Sequence, residues 1–578
     1  MSKENKIQEK EISQSFAKSA FIMTISIFIV KILGALYKIP LLSVLGGEGY
    51  GYYGSAYNLY NPIYALSTAG LPIAFSRIIS AEIVKKNFKN VKKLYKLSIP
   101  IFLITGISGI LLMIAGAFTF SLVAKSPMVI YSILALAPTT LFCCLMSIYR
   151  GYYEGLRNMT PTAVSEIVES VGKVVFGLGF AFLIIKYGNQ VLNLLGMSFQ
   201  TKELENGAIT ALASSGAVLG ITVSSAVGFI YLVIKYKRLG DGINQSDLDS
   251  SPKPESSKKL IKNILNLSIP IGLGAIVMNL SGVIDSLLIQ KRLFDIISFT
   301  PEILISKYPN LIPLEIIERN TVHVFLWGCF STMTNFTMLV SSVTQGISIS
   351  ALPSVTASWI SKDILKLKND IKSIFKITAL ISIPCGLGLS ALSYPILNLI
   401  YGNKSETYIS SKFMIISGIA AIFSAMCIPL FSMLQAVGRA DIPVKLITIG
   451  VLIKIILNYT LVGIPDINIE GANIGTFVCY LLIFVLAIYY LLKETKVNIN
   501  IKNILLKLGF SGICCSTFAY ISQELLSKFI SNKISTVLAI CIAVFTYLLA
   551  LFSTKAVSSE DFKNLPKIYN LLKKFKIK

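Results

Sequence analysis

Ionisable side chains are scarce in this chain. Only 14% of its 578 residues are charged, there is a single histidine, and acids number 29 against 53 lysines and arginines. No His/Asp/Cys constellation, H-E-x-x-H or G-x-S-x-G occurs, which leaves hydrolysis and acyl transfer without machinery. A G-x-x-x-x-G-K-[ST] loop is also missing, so the chain does not consume ATP through a P-loop. The nine cysteines fall in apolar stretches, four of them as the adjacent pairs Cys143-Cys144 and Cys514-Cys515, and read as small apolar filler rather than metal ligands or a disulfide framework. His323, at the mouth of an apolar run, reads as an interfacial side chain.

What fills the chain instead is hydrocarbon. Hydrophobic residues make up 54%, and mean hydropathy is +0.71. A membrane-spanning helix needs about 20 largely apolar residues. Such windows recur at 16–45, 52–84, 94–121, 128–150, 161–186, 207–235, 263–290, 324–360, 371–400, 409–437, 442–464, 471–492, 503–527 and 534–554. The expected fold is all-α: a polytopic membrane protein of about 14 transmembrane helices. The N-terminal stretch mixes charges and lacks a small-residue cleavage site, so the first window is expected to be an anchor.

The net charge of +24 does not point to nucleic acid, because the lysines collect in alternate loops. "KKNFKNVKK" (85–93), "KYKR" (235–238), "SKDILKLKND" (361–370) and the tail "LLKKFKIK" form a basic set, whereas the turns near 46–50, 401–408 and 464–470 are poor in Lys and Arg. The positive-inside bias then puts the basic loops and both termini in the cytoplasm, making this a multi-pass protein of the cell membrane. The tail also carries Ile568, Leu571, Leu572 and Phe575 on one side, as a helix lying on anionic lipid would.

The chain repeats itself. A Ser/Pro/Asp-rich stretch, 239–259, separates six windows from the rest. On either side of it an Arg precedes by four residues a Pro that opens a helix, Arg157 with Pro161 and Arg439 with Pro443. The expected organisation is an N-terminal lobe (1–238), a cytoplasmic linker (239–259), a C-terminal lobe (260–493), and two accessory spans with a basic tail (494–578). Two six-helix lobes suit alternating access around a site near the bilayer midplane.

A few charges stand inside the spans. Lys31 lies about 15 residues from either end of the first window, hence near the bilayer centre at ~1.5 Å rise per residue. A lysine there costs roughly 2.5–3.5 kcal/mol. Lys38, seven residues on, shares its face. That stripe lines a water-filled cavity, unless Lys31 pairs with a buried acid and Lys38 snorkels outward. Glu166, Glu169 and Lys173 share a face of the fifth window, with the last two at salt-bridge spacing; they form a structural inter-helix pair or a cavity wall. Arg77 is one of only seven arginines, and it is either a phosphate ligand or a snorkelling cation. Asp285 would answer these cations or bind a coupling ion, and Lys454 and Asn458 share a face of the eleventh window.

The stretch "FAKSAFIMTISIFIVKILGALYKIPLLSVLGGEGYGYYGSAYNLYNPIYALSTAGLPIAFSRIISAE" (16–82) resembles the opening of the multidrug/oligosaccharidyl-lipid/polysaccharide (MOP) exporter superfamily, in its MurJ and stage V sporulation protein B branch. "ISALPSVTASW" (349–359), "LQAVGRADIPVK" (434–445) and "KIILNYTLVGIPDINIEGANIGT" (454–476) continue the likeness over nearly the whole chain. It implies a flippase for an undecaprenyl-pyrophosphate-linked glycan, lipid II foremost, whose headgroup crosses in a cationic cavity. By position, Lys31 falls where the family places a cavity arginine, and Asp285, Asn458 and Thr476 fall near a monovalent-cation site of some relatives. Tyr37 and Lys38 replace a second arginine, and the arginine preceding "GLP" is missing.

The expected cavity set is therefore Lys31, Lys38, Arg77, Glu166, Glu169, Lys173 and Lys454, with a possible Na+ or H+ site at Asp285, Asn458 and Thr476. No cofactor or resident metal is expected, only coupling to the membrane potential or a monovalent cation. Expected partners are a lipid-linked anionic glycan, membrane lipids and the cell-wall synthesis machinery, for a monomeric, non-enzymatic chain that binds no nucleic acid. The rival readings are a flippase for a polysaccharide-repeat lipid-linked oligosaccharide, a drug/cation antiporter, a membrane glycosyltransferase or ligase, and a non-transporting scaffold.

Overall fold

The computed structural model describes residues 16–65 and 70–556. The N-terminal fifteen residues and the basic tail, on which the amphipathic-helix and terminus expectations rest, lie outside them. Among the described residues the chain is α-helical with no strand. Twelve helices are long and apolar enough to cross a membrane. The expected fourteen is thus approximate. One of the twelve, Ile25–Ala65, is a single run only by backbone bonding, and Ser257–Phe299 is not among them.

The first helix, α1 (Phe16–Ala65), breaks at Gly46, whose φ of 65° lies in the left-handed region. A residue with a Cβ would be strained there, so the "LGGEG" stretch separates two arms where a turn is expected. There follow α2 (Leu71–Val84), α3 (Phe88–Ala124), α4 (Val129–Leu136), α5 (Thr139–Gly155) and α6 (Thr160–Gly172), which runs into a π turn at Lys173–Gly177. Next come α7 (Leu178–Lys186), α8 (Gly188–Leu194), α9 (Lys202–Leu239), α10 (Gln245–Asp249) and α11 (Ser257–Phe299). The remainder is α12 (Pro301–Ser306), α13 (Leu314–Glu318), α14 (Val322–Ile360), α15 (Ile364–Ala391), α16 (Ser393–Tyr401), α17 (Ser405–Ala436), α18 (Asp441–Val462), α19 (Glu470–Thr495), α20 (Ile501–Leu526) and α21 (Asn532–Ser553).

Contacts divide the chain into two compact units: residues 1–294 with 313–328, and residues 295–312 with 329–578. In the first, α9 is the central post, packed by α1, α4, α5, α6 and α7. Small residues let it be so. A Cβ at Gly220 of α9 would stand 2.3 Å from the Gly177 Cα, so the two backbones touch. The segment 313–328 is bound to this unit by Arg319, which pairs with Glu48 at 2.5 Å and donates to the Glu203 carbonyl at 3.1 Å. His323 is buried here, its Nε2 3.1 Å from the Lys125 carbonyl, and not the interfacial side chain expected.

The polar stretch 239–259 is docked onto the same unit. Buried Asp241 accepts from Lys92 and, at 2.6 Å, from the Tyr152 hydroxyl. Further along, the Glu255 amide donates to Asn90 at 2.8 Å, and the Lys89 amide donates to Ser251 at 3.0 Å. Its polarity is used for contacts that a Gly/Ser-rich tether would not make.

In the second unit α17 lies between α15 and α19, α18 packs on α19, and α20 and α21 pair with each other and against α15. Its core gathers Phe375, Ile383, Met426, Leu430, Ile483 and Leu508. On its loop side the Tyr308 hydroxyl donates to Asn468 at 2.9 Å, and burial pushes that phenol well above its ordinary range. The two Arg/Pro turns end their helices alike. Asn158 N bonds to Tyr153 O and Arg439 N to Leu434 O, with Arg157 and Gly438 at positive φ. The structural match is Arg157 with Gly438, one residue off the Arg-to-Arg match.

Candidate functional site

Span-embedded charges converge inside the first unit. On α6, three residues follow the 3.6 periodicity: Glu166, Glu169 and, at the start of the π turn, Lys173. Glu169 is buried and receives three donors: the Lys173 ammonium at 3.0 Å, an Arg150 amine at 3.2 Å and the Ser225 hydroxyl at 3.2 Å. Arg150, from the end of α5, is itself buried and turns its Nε to Ser165 at 2.9 Å. A buried carboxylate held by two cations and a hydroxyl is compensated for its desolvation. The π turn, a frequent mark of functional positions, sets Lys173 where the helix widens.

The first arm of α1 closes this cluster. Ser26 is buried and donates to the Ala163 carbonyl at 3.0 Å and to Glu166 at 3.4 Å. Tyr37 is buried with its hydroxyl on the Ala217 carbonyl at 3.1 Å, and its half-buried neighbour Lys38 lies within electrostatic reach of Lys173. Lys31, between those two anchor points, is exposed and has no hydrogen bond or ion pair with any described residue. Four cations (Lys31, Lys38, Arg150, Lys173) thus stand with two acids (Glu166, Glu169) on spans of one unit. The arrangement is electropositive.

The second arm of α1 adds an aromatic ladder. Tyr50, Tyr53, Tyr57, Tyr60 and Tyr64 fall at i+3 and i+4 steps, with successive ring centroids 5.5, 5.5, 5.8 and 5.2 Å apart. Tyr37 joins it at 6.1 Å from Tyr53, and the Tyr60 hydroxyl meets the Cys143 sulfur at 3.3 Å. Neither Arg150 nor this ladder is among the sequence-derived candidates. The spacing of "YGYYGSAYNLYNPIY" was the available signal for the second.

Arg77 is exposed on α2 and is not part of the cluster. It lines an open cleft of about 480 Å³ with Ser76, Ser80 and Glu154. Glu154 accepts from Thr162 at 3.2 Å. Two hydroxyls and a guanidinium on one wall can bind an anion.

Of the proposed cation ligands, Asp285, half-buried on α11, belongs to the first unit, and Asn458 and Thr476 belong to the second, as does Lys454 of the expected cavity set. Asn458 is buried against α19, where a Cβ on Gly475 would come 2.5 Å from its amide oxygen. The Thr476 hydroxyl is bonded back to Ala472 at 2.8 Å, and Lys454 is half-buried. Among the described residues no group of three or more His, Cys, Asp or Glu could hold a metal ion.

Comparison with known proteins agrees with this architecture. The polysaccharide biosynthesis protein family matches residues 16–296, and the MatE family matches residues 328–460. The lipid II flippase MurJ of Bacillus subtilis (strain 168) is 23% identical over 81% of this chain and 81% of its own. Stage V sporulation protein B of the same organism is 20% identical over 97% of this chain and 99% of its own. A solved structure of lipid II flippase MurJ in an inward closed conformation superposes with a TM-score of 0.61 at 16% identity, covering 92% of this chain and 98% of that one. Where these relatives' names state an activity it is transport, not catalysis. A multi-pass helical membrane protein of this fold, with these matches along both halves, is similar to the MOP exporter superfamily, and among its members to MurJ and stage V sporulation protein B.

Proposed function

We propose that the chain is a flippase that carries an undecaprenyl-pyrophosphate-linked glycan precursor, lipid II foremost, across the cell membrane by alternating access. The observation that carries the reading is Lys31: a cation within the first apolar span, exposed, without an ion-pair partner among the described residues, on the helix whose Ser26 bonds to Glu166 of the electropositive cluster. A lysine at that depth is costly unless a ligand of opposite charge visits it. A diphosphate supplies that charge. A membrane potential negative inside also favours outward movement of the anion, at about 2.3 kcal/mol per charge per 100 mV.

In this reading Lys31 and Lys38 meet the diphosphate, the Arg150–Glu169–Lys173 set holds α5, α6 and α9 in register behind them, and Arg77 is an anion contact at the cleft on α2. The basic loops and both termini face the cytoplasm, and drive comes from the potential or from a monovalent cation. The similarity to MurJ and to the polysaccharide biosynthesis family supports this class of cargo. Vesicles reconstituted with the purified chain should expose a fluorescent polyprenyl-diphosphate glycan to an externally added enzyme and leave a neutral lipid-linked sugar in place. Equal transfer of both would contradict the proposal.

The MatE match over 328–460 supports a second reading, a drug/cation antiporter. It requires small cations to be moved, and a resistance and dye-efflux assay in cells carrying the chain separates the two.

A further inference from the structure

The last helices carry a feature that the flippase reading does not use. α19 packs on α17 and α18, whereas α20 packs on α15 and α21. Between them is a groove of about 410 Å³ with apolar walls from Val485, Ile488, Ile501, Leu505 and Leu506. At its end Phe484 stacks on Phe375 of α15 at 6.3 Å between ring centroids. The one charged residue on the lining is Lys502, exposed and without a hydrogen bond or ion pair among the described residues.

The sign of the surrounding loop is positive. Lys496, in the left-handed cap of α19, is exposed, and its side chain likewise makes no hydrogen bond or ion pair with a described residue. Lys493 lies 5.8 Å over the Tyr489 ring. The loop's acid, Glu494, is already engaged by Arg439.

We propose that this groove holds one acyl chain of an anionic phospholipid from the surrounding bilayer, with its headgroup phosphate on Lys502. The apolar walls take hydrocarbon and the lysine-rich loop selects charge, the combination by which membrane proteins retain acidic lipids. The chain's own tail is a poorer occupant, because "LLKKFKIK" has the same sign as the loop. A polyprenyl diphosphate would bring two phosphates to a wall that offers one lysine.

Native mass spectrometry of the full chain, released from mixed micelles of phosphatidylglycerol and phosphatidylcholine, tests this. The expected result is one tightly retained phosphatidylglycerol. Lys502→Gln should weaken that retention about fivefold, the worth of one lysine at an anionic surface, while Lys533→Gln at the opposite end of the α20–α21 hairpin leaves it unchanged. Ile488→Trp should remove the retained lipid of either headgroup; if that variant does not fold, the lysine pair of variants still decides. Four outcomes would overturn the proposal: equal retention of both lipids, equal loss from Lys502→Gln and Lys533→Gln, preferential retention of added undecaprenyl phosphate, or tighter lipid binding by a chain ending at Ala556.

Discussion

Glu169 is the residue on which the first unit's polar interior turns, since it neutralises two cations on different helical segments. Removing one partner of a buried pair costs about 3–5 kcal/mol, and Arg150→Ala should lower stability by that order in thermal unfolding of detergent-purified protein. The double variant Arg150→Met with Glu169→Gln should not recover it, because Lys173 is then left without the carboxylate that pairs with it. The Glu169–Lys173 contact could be read from spacing, as i and i+4 on one helix leave little choice. Arg150 could not, because it ends an apolar window and looks there like an interfacial arginine. Its partners Ser165 and Glu169 come from the next helix, and Ser225, which donates to Glu169, comes from α9. Only the packing brings them together.

At the scale of elements, glycines decide which helices touch. A methyl at Gly220 would meet the Gly177 backbone, so Gly220→Ala should cost about 1–3 kcal/mol as overpacking and loosen the π turn that carries Lys173. Hydrogen exchange at 173–177 would show the loosening, and unchanged protection there would contradict the role given to this contact. The apolar windows announced most spans, and "LGGEG" announced the break at Gly46. Segment 293–323 was less legible, since its acids and single arginine look scattered in sequence. The structure uses that arginine, Arg319, side chain 6% exposed, to tie 313–328 to Glu48. Arg319→Ala should therefore raise hydrogen exchange across 313–321 more than elsewhere in the chain.

For the whole molecule, the fold class and superfamily were legible because hydrophobic length and repeated turns are properties of sequence, whereas cargo is a property of a few charges whose partners lie far along the chain. Depletion from growing cells should cause lysis if the cargo serves the vegetative wall; normal growth with cortex-deficient spores would assign it to sporulation instead. The account's central claim is that mid-membrane positive charge is kept for an anionic headgroup. The direct measurement is headgroup translocation in vesicles by Lys31→Ala, with the variant shown to be folded and inserted. The account predicts loss of transfer with partial recovery in Lys31→Arg; transfer by Lys31→Ala at the unsubstituted rate would contradict it.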